Sequence, residues 1–270
     1  MRSQAGDVLD IVLDGKHPPL PSPDPRPAGE ATFRVSTPDA SGHKWGLVRL
    51  PAGTDLGYFL DCLNRSRSWD PAVHTRARAE LNQAVDFAGG VTVYPSYGQI
   101  EHTLCLEPGT YYFLDYDDLA EPDAADRIQS LRTTGPARHE LKVPVDVVIE
   151  ARQEGEREFY AMPERLPAEC TVLLRNLSDH PQEVVFNRVH DGTTADDVRD
   201  FVLAFRTGGT PPGNVFMGAP TGLMPISSGR ESAMRLRFPP GRYAVCSYTS
   251  HGRTGRSGVL EEMLEIVTIG

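Results

Sequence analysis

His43, His102 and His139 are the residues of the amino-terminal half whose types suit chemistry best. Three converging imidazoles can hold copper or zinc with one position open. A single inward histidine is more often a hydrogen-bonded core residue. His102 shares strand parity with Ile100, Leu104 and Leu106, so it points inward. Asp115 opens an acidic run that continues through Asp117 and Asp118. If His43 and Asp115 face one cavity, the imidazole is a general base and the carboxylate orients it, with His102 as the third candidate catalytic group. Trp45, Tyr111, Tyr112 and Tyr116 then supply aromatic walls, and His139 a polar contact, for a small organic ligand.

The carboxy-terminal half offers fewer groups. Cys246 lies in a strand pattern and reads as a buried thiol, reactive only if a cation such as Arg253 or Arg256 lowers its pKa. The glycine-rich stretch 208–213 lacks the lysine and following helix of a phosphate cradle and reads as a surface turn.

The elements that must position these residues occur twice. Arg49-Leu50 followed by Gly53-Thr54 is echoed by Arg188-Val189 and Gly192-Thr193. Pro108-Gly109-Thr110-Tyr111 is echoed by Pro240-Gly241-Arg242-Tyr243. A repeat of this length means two copies of one domain. In each copy a helix follows the first motif: Leu56, Phe59, Leu60 and Leu63 in one, Val198, Phe201, Val202 and Phe205 in the other. Thr54 and Thr193 are candidate caps. The first copy, residues 1–150, adds a helix over about 71–88, capped by Asp70, led by Pro71 and closed by Gly89-Gly90. It also carries a long loop over 116–140, partly helical from Ala124 to Leu131, which can act as a lid. Residues 151–158 are polar and read as a linker, and the second copy spans 159–270. Short strands with proline- and glycine-rich turns predict a mainly β protein with short helical insertions.

The formal charge of −10 argues against nucleic acid and anionic membranes as partners, because both require clustered cations. No run approaches the length of a membrane span. Four dispersed cysteines and the absence of an export segment at the start predict a cytoplasmic protein with reduced thiols.

The recurring order of Pro-Ala, strand, Asn, Arg-Leu or Arg-Val, Gly-Thr, helix and Pro-Gly-x-Tyr, ending near Cys246 with Met263 in the last segment, resembles bacterial cupredoxin-like domains. The resemblance covers nearly the whole chain and implies two Greek-key β-sandwich domains in tandem. It also implies a type 1 copper site of histidine, cysteine, histidine and methionine, which supports electron transfer. In the second copy it places the thiolate on Cys246 and the thioether on Met263, but the histidine positions fall on Gln182 and Gly258. His180 and His251 stand nearby as substitutes. In the first copy His43 and His139 fall at or near the histidine positions, while the cysteine position is Leu114. Both copper sites are degenerate by this comparison, and no metal is expected.

Three functions follow as expectations. The first is a copper-free scaffold that binds a small organic molecule and transforms it by acid–base chemistry, as an isomerase or cyclase would. The second is a copper oxidoreductase, through His43, His102 and His139 or through His180, Cys246, His251 and Met263. The third is a module that assembles with a partner protein or as a homodimer.

Overall fold

The structure, a computed structural model, describes residues 8–14, 25–120, 124–137 and 140–270. The first half supplies β1 (Val8–Val12), β2 (Arg26–Pro27), β3 (Gly29–Ser36), β4 (His43–Arg49), β5 (Asp86–Val93), β6 (Ile100–Leu106), β7 (Gly109–Asp115) and β8 (Gln129–Thr134). The second supplies β9 (Val147–Glu154), β10 (Arg157–Ala161), β11 (Arg165–Leu166), β12 (Glu169–Asn176), β13 (Gln182–Val189), β14 (Thr221–Ile226), β15 (Glu231–Arg237), β16 (Gly241–Cys246) and β17 (Leu264–Ile269). The helices are α1 (Leu56–Arg65), α2 (Pro71–Ala84), α3 (Ala124–Arg127) and α4 (Ala195–Arg206).

Two sheets stack face to face, and each runs through both halves. One has the strand order β1-β3-β6-β15-β12-β9-β10, the other β11-β17-β16-β13-β14-β5-β4-β7-β8-β2. The halves join edge to edge: β6 pairs with β15, opposing His102 to Met234, and β5 pairs with β14, opposing Val91 to Leu223. Edge strands left open invite aggregation, and this pairing closes two in each half at once. One apolar core fills the space between the sheets, from Ile11 and Phe33 through Trp45 and Val91 to Phe186 and Phe238.

Close approach at the seam requires glycine. Gly90 has φ +153°, and a Cβ there would stand 2.1 Å from the Trp45 carbonyl oxygen. Gly222 has φ +158°, and its Cβ would stand 2.1 Å from the Val184 carbonyl oxygen. Both glycines lie within strands, so Gly89-Gly90 does not close the preceding helix as the sequence suggested. That helix ends at Ala84, and Asp86 already begins β5.

The helices lie outside the ten-stranded sheet. In α1, Phe59, Cys62 and Leu63 face Val48, Phe87 and Leu114 of that sheet. In α4, Val198 and Val202 face Val189, Ala244 and Cys246. The caps fall one residue later than expected. Asp55, not Thr54, accepts the Tyr58 N–H, and Thr194, not Thr193, forms a capping box with Asp197. Such caps contribute about 1 kcal/mol each. Asp70 caps α2 as read, accepting from Ala72 and Val73.

Two segments differ from the sequence reading. The 116–140 loop is broken by the short α3 and by β8, which pairs with β7, so helix does not extend to Leu131. Residues 151–158 form part of a hairpin between β9 and β10, and β9 pairs in parallel with β12. Polar side chains there mark a sheet edge rather than a linker.

Candidate functional site

Alternation along β13 sends Val184 and Phe186 into the core and turns Glu183, Val185 and Asn187 to the opposite face. On β4 it turns Lys44 the same way, beside Tyr116 just past β7. α2 stands over this face and lowers Arg78 towards it. The result is a cleft across the junction of the halves. An inner cavity of about 550 Å³ is lined by Lys44, Arg67, Arg78, Tyr116, Glu183 and Tyr248, with Val185, Phe216 and Met224 among its apolar walls. An adjoining outer cavity of about 650 Å³ is bounded by Trp69, Phe201, Phe205, Arg206 and Phe216. The two share Ser66, Arg67, Arg78, Phe216 and Tyr248. Volumes of this size suit drug-sized organic molecules.

Positive charge dominates the cleft. Burial disfavours the charged form of Arg78, while Glu183 and Tyr116 act in its favour and Arg206 and Arg67 against it. Its Nε has no hydrogen-bond partner. Arg67 donates to the Tyr116 carbonyl at 2.5 Å, and Arg206 to Ser250 Oγ at 3.4 Å. Lys44 is neutralised by Asp117 at 2.9 Å. Glu183 accepts the Tyr248 N–H at 2.8 Å. Burial raises its pKa above the usual carboxylate range, against the pull of that N–H, Arg78 and Lys44. Burial likewise raises the hydroxyls of Tyr116 and Tyr248. Three arginines against one buried carboxylate leave room for an anion, which is notable in so acidic a chain.

The residues singled out from the sequence are dispersed. His43 and Asp115 do meet: Nδ1 lies 2.5 Å from Oδ2. Burial raises the Asp115 carboxyl, and His43 partly offsets this. His43 Nε2 is buried without a hydrogen-bond partner, 3.7 Å from Asp39 Oδ2. This imidazole therefore ties the loop before β4 to the end of β7. His102 is fully buried, with Nε2 2.7 Å from Ser232 Oγ and its ring edge-on to Trp45. Burial pulls its pKa down to about 3. Trp45 and Tyr111 are core residues with 1% and 0% exposure, so they wall no open site. Tyr111 instead accepts the Glu107 N–H through its hydroxyl. Tyr112 packs under the first-half helices. Of the expected aromatic walls only Tyr116 lines the cleft, on the sheet face opposite to Trp45. His139 lies outside the described residues.

The set that copper would need does not assemble. His180 and His251 come together, with ring centroids 4.5 Å apart. Met263 packs into the sandwich core, and Cys246 belongs to the separate cluster under α4. Asn187 Nδ2 donates to its sulfur at 3.5 Å, and burial pushes the thiol up to about 12. A sulfur on another face from the two rings does not complete a type 1 centre with them. The histidines gather carboxylates instead: among the described residues, Glu158, Asp179, His180 and His251 form the one group with metal-holding geometry.

The sequence missed Arg78, Glu183 and Tyr248. Arg78 reads as the solvated face of a helix, and Glu183 as one polar residue in a strand buried on both sides. The excess of arginines over carboxylates appears only once α2 is laid on the sheet.

No family model matches the chain, and no curated protein matches it. Among solved structures, a multicopper oxidase matches at 13% identity and a TM-score of 0.24, covering 97% of this chain and 88% of that one. A dithionite-reduced auracyanin from Roseiflexus castenholzii covers 47% of this chain and 99% of its own, at 15% identity and a TM-score of 0.28. A copper nitrite reductase from Nitrosomonas europaea covers 98% and 94% at 8% identity and a TM-score of 0.24. The chain folds as a two-sheet β-sandwich built from two repeated halves, and none of these likenesses assigns it a family or an activity.

Proposed function

We propose that this chain binds a small organic acid in the cleft between its halves. The carrying observation is Arg78, an enclosed guanidinium whose Nε lacks a partner at the floor of a cavity of about 550 Å³. Desolvation disfavours this guanidinium, Glu183 offsets that only in part, and an anionic ligand would offset more of it. Guanidinium binds carboxylates through paired, charge-assisted hydrogen bonds, so the head group is a carboxylate or a comparable planar anion. Trp69, Phe201, Phe205 and Phe216 would receive an apolar or aromatic body. Glu183, more readily protonated than an exposed glutamate, would supply a proton donor facing the bound acid. That keeps acid–base transformation within the reading but moves it from His43 to the cleft. The free, buried cysteines support the cytoplasmic location read from the sequence.

The test is calorimetry with a panel of aromatic carboxylates, including benzoate, phenylacetate and indole-3-acetate, against the native chain and Arg78→Met. Binding to the native chain that Arg78→Met weakens by about 10- to 100-fold is the expected result. Absence of binding across the panel, or equal binding by both proteins, would sink the reading.

A further inference from the structure

We propose that Glu158, His180 and His251, with Asp179 at the rim, form a site for a divalent cation of the zinc class. The four come from three places in the fold. Glu158 lies on β10, Asp179 and His180 on the turn between β12 and β13, and His251 on the loop between β16 and β17. The Glu158, His180 and His251 side chains are 2%, 5% and 9% exposed, and that of Asp179 is 54% exposed. One donor atom from each lies within 4.8 Å of all the others.

The spacing is that of ligands around an ion. Glu158 Oε1 lies 3.0 Å from His180 Nδ1 and 3.6 Å from His251 Nε2, and Asp179 Oδ1 lies 3.1 Å from His180 Nδ1. Ligands about 2.0–2.1 Å from a tetrahedral zinc stand roughly 3.3–3.4 Å from one another. Hydrogen bonds account for part of the group: Gln182 Nε2 donates to Glu158 Oε2 at 3.2 Å, and His180 Nδ1 meets Asp179 Oδ1 at 3.1 Å. Glu158 Oε1 is buried and accepts no aligned hydrogen bond, despite its approach to His180. It faces the point the two rings share.

Charge and surroundings agree. Two carboxylates and two neutral imidazoles balance a dication. Gln182 approaches His180 Nε2 at 2.9 Å, and its Oε1 has no partner. With a cation on Nδ1, Nε2 carries the ring proton, and the amide turned end for end offers Oε1 to accept it, giving up its bond to Glu158 Oε2 as that carboxylate turns to the ion. His251 requires more. Its Nδ1 accepts the Arg253 N–H at 3.0 Å, and the Arg253 guanidinium stands 3.2 Å from Nε2, so both ring nitrogens face donors of one residue. Coordination through Nε2 leaves the ring proton on Nδ1, so the Arg253 guanidinium must swing out and its amide must turn away. Arg253 stands in an exposed turn that allows this. The donor set contains no sulfur, which separates this site from a copper centre of the electron-transfer type.

The experiment uses the full chain after dialysis against a chelator. Zn²⁺ is titrated by calorimetry, and Co²⁺ serves as a spectroscopic probe of tetrahedral coordination. We expect one Zn²⁺ per chain, a tetrahedral Co²⁺ spectrum, and loss of both in Glu158→Gln and His251→Ala. Hydrogen exchange of the turn at 252–256 should change on binding. Asp179→Asn, altered at an exposed side chain, should weaken Zn²⁺ by about 10-fold. No stoichiometric uptake, or uptake undiminished in a folded Glu158→Gln protein, overturns the proposal. If Glu158→Gln fails to fold, unchanged affinity in Asp179→Asn overturns it. Uptake of copper alone with an intense visible band would show sulfur ligation and also overturn it.

Discussion

Arg78 and Glu183 face one another across the cleft without forming an ion pair. Each shifts the other's titration, while Arg78 Nε has no hydrogen-bond partner and Glu183 accepts the Tyr248 N–H. An ion pair of their own would fill the space an anion needs. Arg78→Met should therefore weaken an organic acid by about 10- to 100-fold, the worth of a lost charge-assisted hydrogen bond at about 1.5–3 kcal/mol. The unliganded variant should be no less stable than the native chain, because a buried charge that Glu183 offsets only in part has gone. Calorimetry and thermal melts read the two effects separately.

Glu183 predicts a pH dependence of definite sign. Burial holds its pKa in the fold above that of a free glutamate. Its contribution to stability is therefore complete below about pH 4.5 and is lost as pH rises through the raised folded value. Ligand affinity should fall over the same window, since an ionised Glu183 repels a bound carboxylate. Glu183→Gln should flatten both profiles, as measured by melting temperature and by titration across pH.

The chain has two tryptophans, and they occupy opposite environments. Trp45 is 1% exposed in the core, and Trp69 is 83% exposed at the mouth of the outer cavity. A ligand that fills the cleft should cover Trp69 alone and shift its emission to the blue. Trp69→Phe should abolish that shift and leave the Trp45 emission in place. A ligand-induced shift that persists in Trp69→Phe would place binding elsewhere.

Asp115→Ala should separate structure from binding. It removes the acceptor of His43 Nδ1 and leaves a buried imidazole short of a partner. The expected cost is about 1–3 kcal/mol of stability. Cleft affinity should change far less than stability, because Asp115 reaches the cleft only through the Asp117 N–H that its Oδ1 accepts at 3.2 Å. Chemical denaturation alongside calorimetry checks both parts.

Gly90→Ala and Gly222→Ala should each destabilise the fold by about 3 kcal/mol. Either methyl would strike a neighbouring strand's carbonyl oxygen at 2.1 Å. Gly53→Ala, where a Cβ meets nothing within 4 Å, is the control for backbone strain alone. A smaller effect at Gly90 or Gly222 than at Gly53 would show that the strands relax freely.

Local periodicity carried much of the fold into view. The helical stripe through Phe59 and Leu63, the Asp70-Pro71 start of α2 and the paired Pro-Gly turns all act through neighbours in sequence. The union of His43 with Asp115 was legible from residue type and placement. The seam was not, because strand pairing between β5 and β14 has no signature in either strand. The cleft was hidden for the same reason. Arg78 and Glu183 acquire meaning only when elements far apart in the chain are stacked. Cys246, His180 and His251 lie close in sequence or alignment, yet the alternation of strand faces sends the sulfur to one side and the rings to another.

Because both ladders of backbone hydrogen bonds cross from one half to the other, this molecule has no clamshell. Swinging the halves apart would tear two strand pairings at once, at a cost comparable to unfolding. Entry to the interior of the cleft must be by a side door, through local yielding of the first turn of α2 or of the 207–220 segment. Any occupant thus meets a rigid plate with a soft rim, and exchange should be paced by the rim.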